Sequence, residues 1–144
     1  MRVYSFRLSN VARIRAVEER IAKAQLVAAM KELRIAQDLE RSARDALEAL
    51  QSPSGLVSMA EIRWSLDQAS RQSSLVGHIA ERVSREAARC AERKHEWSEA
   101  SKRSEVLSRL EAKAFAKWRD EAMQEEAAEM DDLTNARYVL GAQS

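Results

Sequence analysis

The chain has one cysteine, one proline and three glycines in 144 residues, and its aromatics amount to 5%. The lone Cys90 excludes an internal disulfide, and no CxxC or Cys/His cluster offers zinc ligands, so a reducing, cytoplasmic setting fits. Few large side chains are available to fill a compact core. Long apolar runs are missing too. The longest, residues 26–30, falls far short of the roughly 20 residues that cross a bilayer, so direct membrane insertion is not expected. No apolar h-region follows the N-terminus, so no secretory signal is expected. The first 17 residues hold Arg2, Arg7, Arg13 and Arg15 and no acid, as an amphipathic organellar presequence does. Against that alternative, the apolar period runs straight on into the next helix. The net charge is only +1. Residues 1–50 carry 10 basic and 7 acidic side chains, residues 105–144 carry 5 and 9. Neither end is basic enough for nucleic acid, and the sign difference serves better to orient a protein partner.

Charged residues make up 33% of the chain and hydrophobic ones 45%, many of them alanine. Such a composition belongs to long helices and coiled coils, and at this length to one domain. The pattern breaks once, at QSPSGLVSMAE, residues 51–61. Pro53 disfavours helix at Ser52 and stops the first helix near Leu50. Gly55 can take the positive φ a reversal needs. Ser58 and Glu61 have capping-box spacing, and Val57 with Ile62 the staple spacing, so a helix restarts there. The expected fold is all-α: a single helical-hairpin domain over 1–144. Helix one covers about 5–50, the turn 51–57 and helix two about 58–140, with Gly141 as its C′ residue.

Along helix one, apolar residues recur near positions 11, 14, 18, 22, 25, 29, 33, 36, 40, 43, 47 and 50. Where Glu18, Gln25 and Glu40 interrupt, Val17, Leu26 and Leu39 stand beside them. Helix two repeats through Ile62, Leu66, Ala69, Ser73, Val76, Ala80, Val83, Ala87, Cys90, Lys94 and Trp97. Together they predict an antiparallel coiled coil. Ala29, Ala36 and Ala43 face Ala69, Ala80 and Ala87, a close but thin seam, since a methyl buries little apolar area. With the turn centred near residue 54, position i lies beside roughly 108 − i, and helix one runs out near Leu107. About 33 residues of helix two, about 50 Å at 1.5 Å per residue, then extend beyond it. The stripe Leu107, Leu110, Ala114, Trp118 and Ala122 is left for another molecule to cover.

Individual residues carry little chemistry. Trp64 lies off the apolar stripe, and two readings are open: it folds over the tip against Leu47 or Leu50, or it is an exposed aromatic anchor. Trp97 is read as seam packing and Trp118 as partner contact. His78 and His95 have no second ligand nearby, so no metal is expected. Cys90 reads as a small seam residue. Gly77 costs about 1 kcal/mol against alanine inside a helix, and marks a bend or a close approach unless it is merely tolerated. The many carboxylates read as a solvated face, and a two-helix rod forms no concave pocket. No catalysis and no cofactor are expected.

Three features together resemble the FliJ family, coiled-coil stalk and escort proteins of flagellar type III export. One is the opening FRLSNVARIR, residues 6–15, and another the length and hairpin plan. The third is VLSRLEAKAFAKWRDEAMQEEAAEMDDL, residues 106–133. The resemblance covers essentially the whole chain. It implies paired termini that enter a hexameric export ATPase, through Phe6, Leu8, Val11, Leu107, Leu110, Trp118 and Arg119. It implies a tip half that contacts the cytoplasmic domain of the export gate, through Leu47, Trp64, Ser70, Ser74 and Gly77. It also implies export-substrate chaperones as partners, and a place at the cytoplasmic face of the inner membrane. Family members carry exposed aromatic residues near the tip, and here Trp64 is the one aromatic in that region. Two alternatives stay open: the equivalent stalk of a virulence-type secretion system, and a self-associating structural coiled coil.

Overall fold

A computed structural model describes residues 3–50, 55 and 57–143 of the chain. It contains two long helices packed as an antiparallel hairpin, α1 (Ser9–Glu48) and α2 (Met59–Ala142), and no strand among the described residues. Both helices lack interior proline, and α2 tolerates Gly77 and Gly141 within it. Gly141 is therefore part of the last turn and not the C′ residue expected from the sequence. Helix one starts at Ser9 because residues 3–6 run outside the helix and the Ser9 amide turns back to the Phe6 carbonyl at 3.1 Å.

The restart of α2 follows the capping logic. The Glu61 amide donates to Ser58 Oγ at 3.2 Å, and the Ser58 amide donates to Glu61 Oε2 at 3.4 Å. This reciprocal pair satisfies two donors that the first helical turn leaves free. Val57 and Ile62 are both half-buried beside it. Gly55 has φ of 86°, a conformation open to glycine without Cβ strain. Pro53 lies outside the described residues.

The chain divides into two compact units. Unit 2 comprises Arg20–Glu99, and unit 1 comprises Met1–Glu19 with Ala100–Ser144. In unit 2 the seam is built on alanine: Ala29, Ala36 and Ala43 are 5%, 0% and 7% exposed. Their α1 companions are Ala22, Leu26, Leu33, Glu40 and Leu47, all half-buried at alternating steps of three and four. Leu26, not Gln25, takes its layer, and Leu39 is exposed.

On α2 the half-buried series is Ile62, Ser65, Ala69, Gln72, Val76, Ile79, Val83, Glu86, Cys90, Arg93 and Trp97. Every second member sits one residue before the one expected. Leu66, Ser73, Ala87 and Lys94 are exposed, while Ala80 stays half-buried on the flank. The physical reason is that long polar side chains can fill seam layers when their heads find partners. Gln72 Nε2 donates to the Ala43 carbonyl at 2.9 Å. Arg93 Nη1 donates to Gln25 Oε1 at 3.2 Å and to Glu96 Oε2 at 2.9 Å. Glu86 Oε2 is shielded and has no hydrogen-bond partner, a cost to this layer of the seam.

These contacts also give the register. Ala43 meets Gln72, Glu32 meets Arg82 and Gln25 meets Arg93 through its long side chain, pairs that sum to 115, 114 and 118. The turn-centred estimate of 108 is thus off by about two turns of helix. A sum near 115 places Glu48, the end of α1, level with residue 67. The first turns of α2, residues 59–66, therefore lie beyond the end of α1.

Within unit 1 the N-terminal residues pair with α2. Tyr4 Oη donates to the Glu111 carbonyl at 3.3 Å, again a sum of 115. Ala12, Arg15 and Glu19 of α1 and Ser104, Leu107, Ala114 and Trp118 of α2 are half-buried. Positions 11, 14 and 17, expected on or beside the seam, are exposed.

Candidate functional site

The residues implied for ATPase contact all fall in unit 1, in two different environments. Leu8, Val11, Leu110 and Arg119 are exposed, and Phe6 is half-buried. Leu107 and Trp118 are half-buried within the unit instead of lying open. The uncovered stripe expected from Leu107 onward is therefore corrected in part: Leu107, Ala114, Trp118 and Ala122 are half-buried while Leu110 stays exposed, because the N-terminal residues reach about two turns further along α2.

Trp118 belongs to an aromatic cluster that the sequence reading missed. Tyr4 meets Phe115 edge-on, with centroids 5.1 Å apart and planes at 88°. Tyr4 lies 5.6 Å from Trp118, and Phe115 stacks on Trp118 at 5.7 Å and 29°. Offset and edge-to-face geometry suits the aromatic quadrupoles. The cluster holds the non-helical residues before α1 against α2. Partial burial in this cluster, and then the Glu111 carboxylate, raise the Tyr4 pKa above its ordinary value. Trp118 Nε1 is shielded and makes no hydrogen bond, so the indole acts through its rings. The signal available in the sequence was Tyr4 itself, an aromatic whose partners appear only once the register is known.

Past this cluster α2 continues alone. Every described residue from 123 to 143 is exposed. Met123, Met130, Leu133, Tyr138 and Leu140 are all more than half exposed, Met130 at 65%. At 100° per residue Met123 and Met130 lie about 140° and 120° around the helix from Trp118. They form a separate face and do not continue the seam. The same segment, 123–142, carries five acids (Glu125, Glu126, Glu129, Asp131, Asp132) against the one basic Arg137.

The residues implied for gate contact lie in unit 2. Trp64 is 65% exposed on the first turns of α2, where α1 has already ended. Leu47 is half-buried in the seam. Ser70, Ser74 and Gly77 are exposed on one outward stripe at i, i+4, i+7 spacing, with Trp64 about 120° round the helix from Ser70. Gly77 has nothing within 4 Å of an added Cβ, so no close approach explains it.

A shallow, open depression in unit 2 is lined by Gln25, Ala28, Ala29, Glu32, Arg89 and Arg93. No nucleophile and base meet there. Among the described residues no group of three His, Cys, Asp or Glu is placed to hold a metal ion. No helix among them is long and apolar enough to cross a membrane.

No curated protein and no solved structure matches the chain. The family described as flagellar FliJ protein matches it over residues 4–142, nearly its whole length. That span takes in the aromatic-clamped N-terminal segment, both helices and the uncovered end of α2. The chain belongs to the flagellar FliJ family, a family of non-enzymatic stalk and escort proteins of flagellar export.

Proposed function

We propose that this chain is the non-catalytic stalk that couples a hexameric export ATPase to the export gate in flagellar type III export. Unit 1 engages the ATPase, with Phe6, Leu8, Val11, Leu110 and Arg119 at its surface and Leu107 and Trp118 packing that surface from within. The tip half meets the cytoplasmic domain of the gate through Trp64, with Ser70, Ser74 and Gly77 on the neighbouring stripe. Export-substrate chaperones are further partners, and the protein works at the cytoplasmic face of the inner membrane. Family membership supports the flagellar system over a virulence-type one.

The observation that carries this reading is the end of α2, where residues 123–143 are exposed and present apolar and acidic groups together. A helix without tertiary cover gains order from a partner. The test compares full-length protein with a chain ending at Ala122, by co-elution with the ATPase and by ATPase turnover. Stimulation is expected to disappear while the hairpin stays folded; unchanged stimulation sinks the assignment. For the gate, Trp64→Ala should leave helicity unchanged and weaken binding by about 2 kcal/mol, as truncated aromatic anchors do. A large loss of helix would mean that Trp64 packs the tip.

A further inference from the structure

Unit 1 leaves uncovered two surfaces of opposite charge. On α2, Met123, Met130 and Leu133 are exposed and fall within about 80° of one another around the helix, with Glu126 among them and Glu129 about 40° beyond their edge. On α1, Ile14 and Val17 are exposed one turn apart, with Arg13 beside them and Arg7 just before the helix. Residues 1–17 hold four arginines and no acid, while residues 123–142 carry a net −4. Arg7 and Arg13 form no ion pair among the described residues, and neither do Glu126, Glu129, Asp131 and Asp132.

We propose that a second copy of this chain covers these surfaces. The acidic methionine–leucine face of α2 in one copy packs on the Arg13–Ile14–Val17 face of the other, and the reverse pairing forms by two-fold symmetry. Each copy owns both halves, so one self-complementary interface covers all four faces, as isologous dimers do. Apolar groups supply the contact, and the flanking charges select this pairing over acid-on-acid or base-on-base alternatives. The pairing covers the same end of α2 as the proposed ATPase contact, so the two exclude one another; it is measured on the isolated chain, and its failure leaves the ATPase reading standing.

The experiment is sedimentation velocity on full-length protein from micromolar to sub-millimolar concentration, at low and high salt. A dimer that weakens with salt is expected, because the charged groups are solvent-exposed. Two charge-reversed chains decide the matter: Arg7→Glu with Arg13→Glu, and Glu126→Arg with Glu129→Arg. All four positions are exposed, so circular dichroism should show unchanged helicity. Each variant alone should self-associate at least about tenfold more weakly. An equimolar mixture of the two should dimerise again, since each acidic face then meets a basic one. A monomer throughout, a dimer indifferent to the reversals, or a mixture that fails to associate overturns the proposal.

Discussion

The ring of Tyr4 lies 5.6 Å from the indole of Trp118, centroid to centroid, with their planes at 59°. One residue precedes the first helix and the other sits far along the second. This contact, shared with Phe115, ties the N-terminal residues to α2 and sets where α2 begins to run uncovered.

Trp118→Ala should release that segment. Lost aromatic pairing is worth about 0.5–1.5 kcal/mol beyond the area it covers, and the loss should be local. Amide exchange at residues 4–12 should speed up while residues 29–43 keep their protection. Trp118→Phe should be close to neutral, because the indole N–H makes no hydrogen bond. A Phe variant as loose as the Ala variant would show that the N–H has a partner after all.

The Tyr4 phenol is raised by burial and then by the Glu111 carboxylate, so the folded chain holds this proton more tightly than the unfolded one. The resulting stabilisation is complete below the ordinary tyrosine value of about 10 and is lost as pH climbs through the higher folded value. In a Tyr138→Phe background Tyr4 is the only tyrosine, and its ionisation can be followed by ultraviolet absorbance. Its midpoint should lie above the ordinary value and fall back on adding Trp118→Ala. A midpoint unmoved by that change would remove the cluster as the cause.

Ala36 is fully buried in the seam. Ala36→Leu inserts volume where the helices approach closely, and should destabilise the hairpin by about 1–3 kcal/mol. Ala24→Leu, on the exposed side of α1, should stay within about 0.5 kcal/mol of the parent. Thermal melting by circular dichroism compares them. Equal melting temperatures would mean that the seam is open enough to take a leucine.

Two truncations separate the covered and uncovered parts of α2. Ending the chain at Ala122 removes residues that are exposed wherever described, and should leave the melting of the remainder nearly unchanged. Ending it at Val106 also removes Leu107, Ala114, Phe115 and Trp118, and should free the N-terminal segment. If the shorter cut alone unfolds the hairpin, residues 123–144 fold back on it.

The hairpin itself was legible in the residues. Ser58 and Glu61 cap α2 at the spacing that marks a helix start, Gly55 adopts the positive φ of a reversal, and the heptad alanines 29, 36 and 43 are the buried core. These are local or periodic signals, and each physical cause lies within a few residues of its effect. The register was not legible, because it shows in polar side chains such as Gln72 and Arg93 finding partners across the seam. A side chain's class does not say whether its head group will be satisfied, so polar seam layers read as solvent-facing. From the register followed everything else that only the tertiary structure decided: that Trp64 stands beyond the end of α1, that Trp118 is covered by Tyr4, and that the uncovered face of α2 starts at Met123 and not at Leu107.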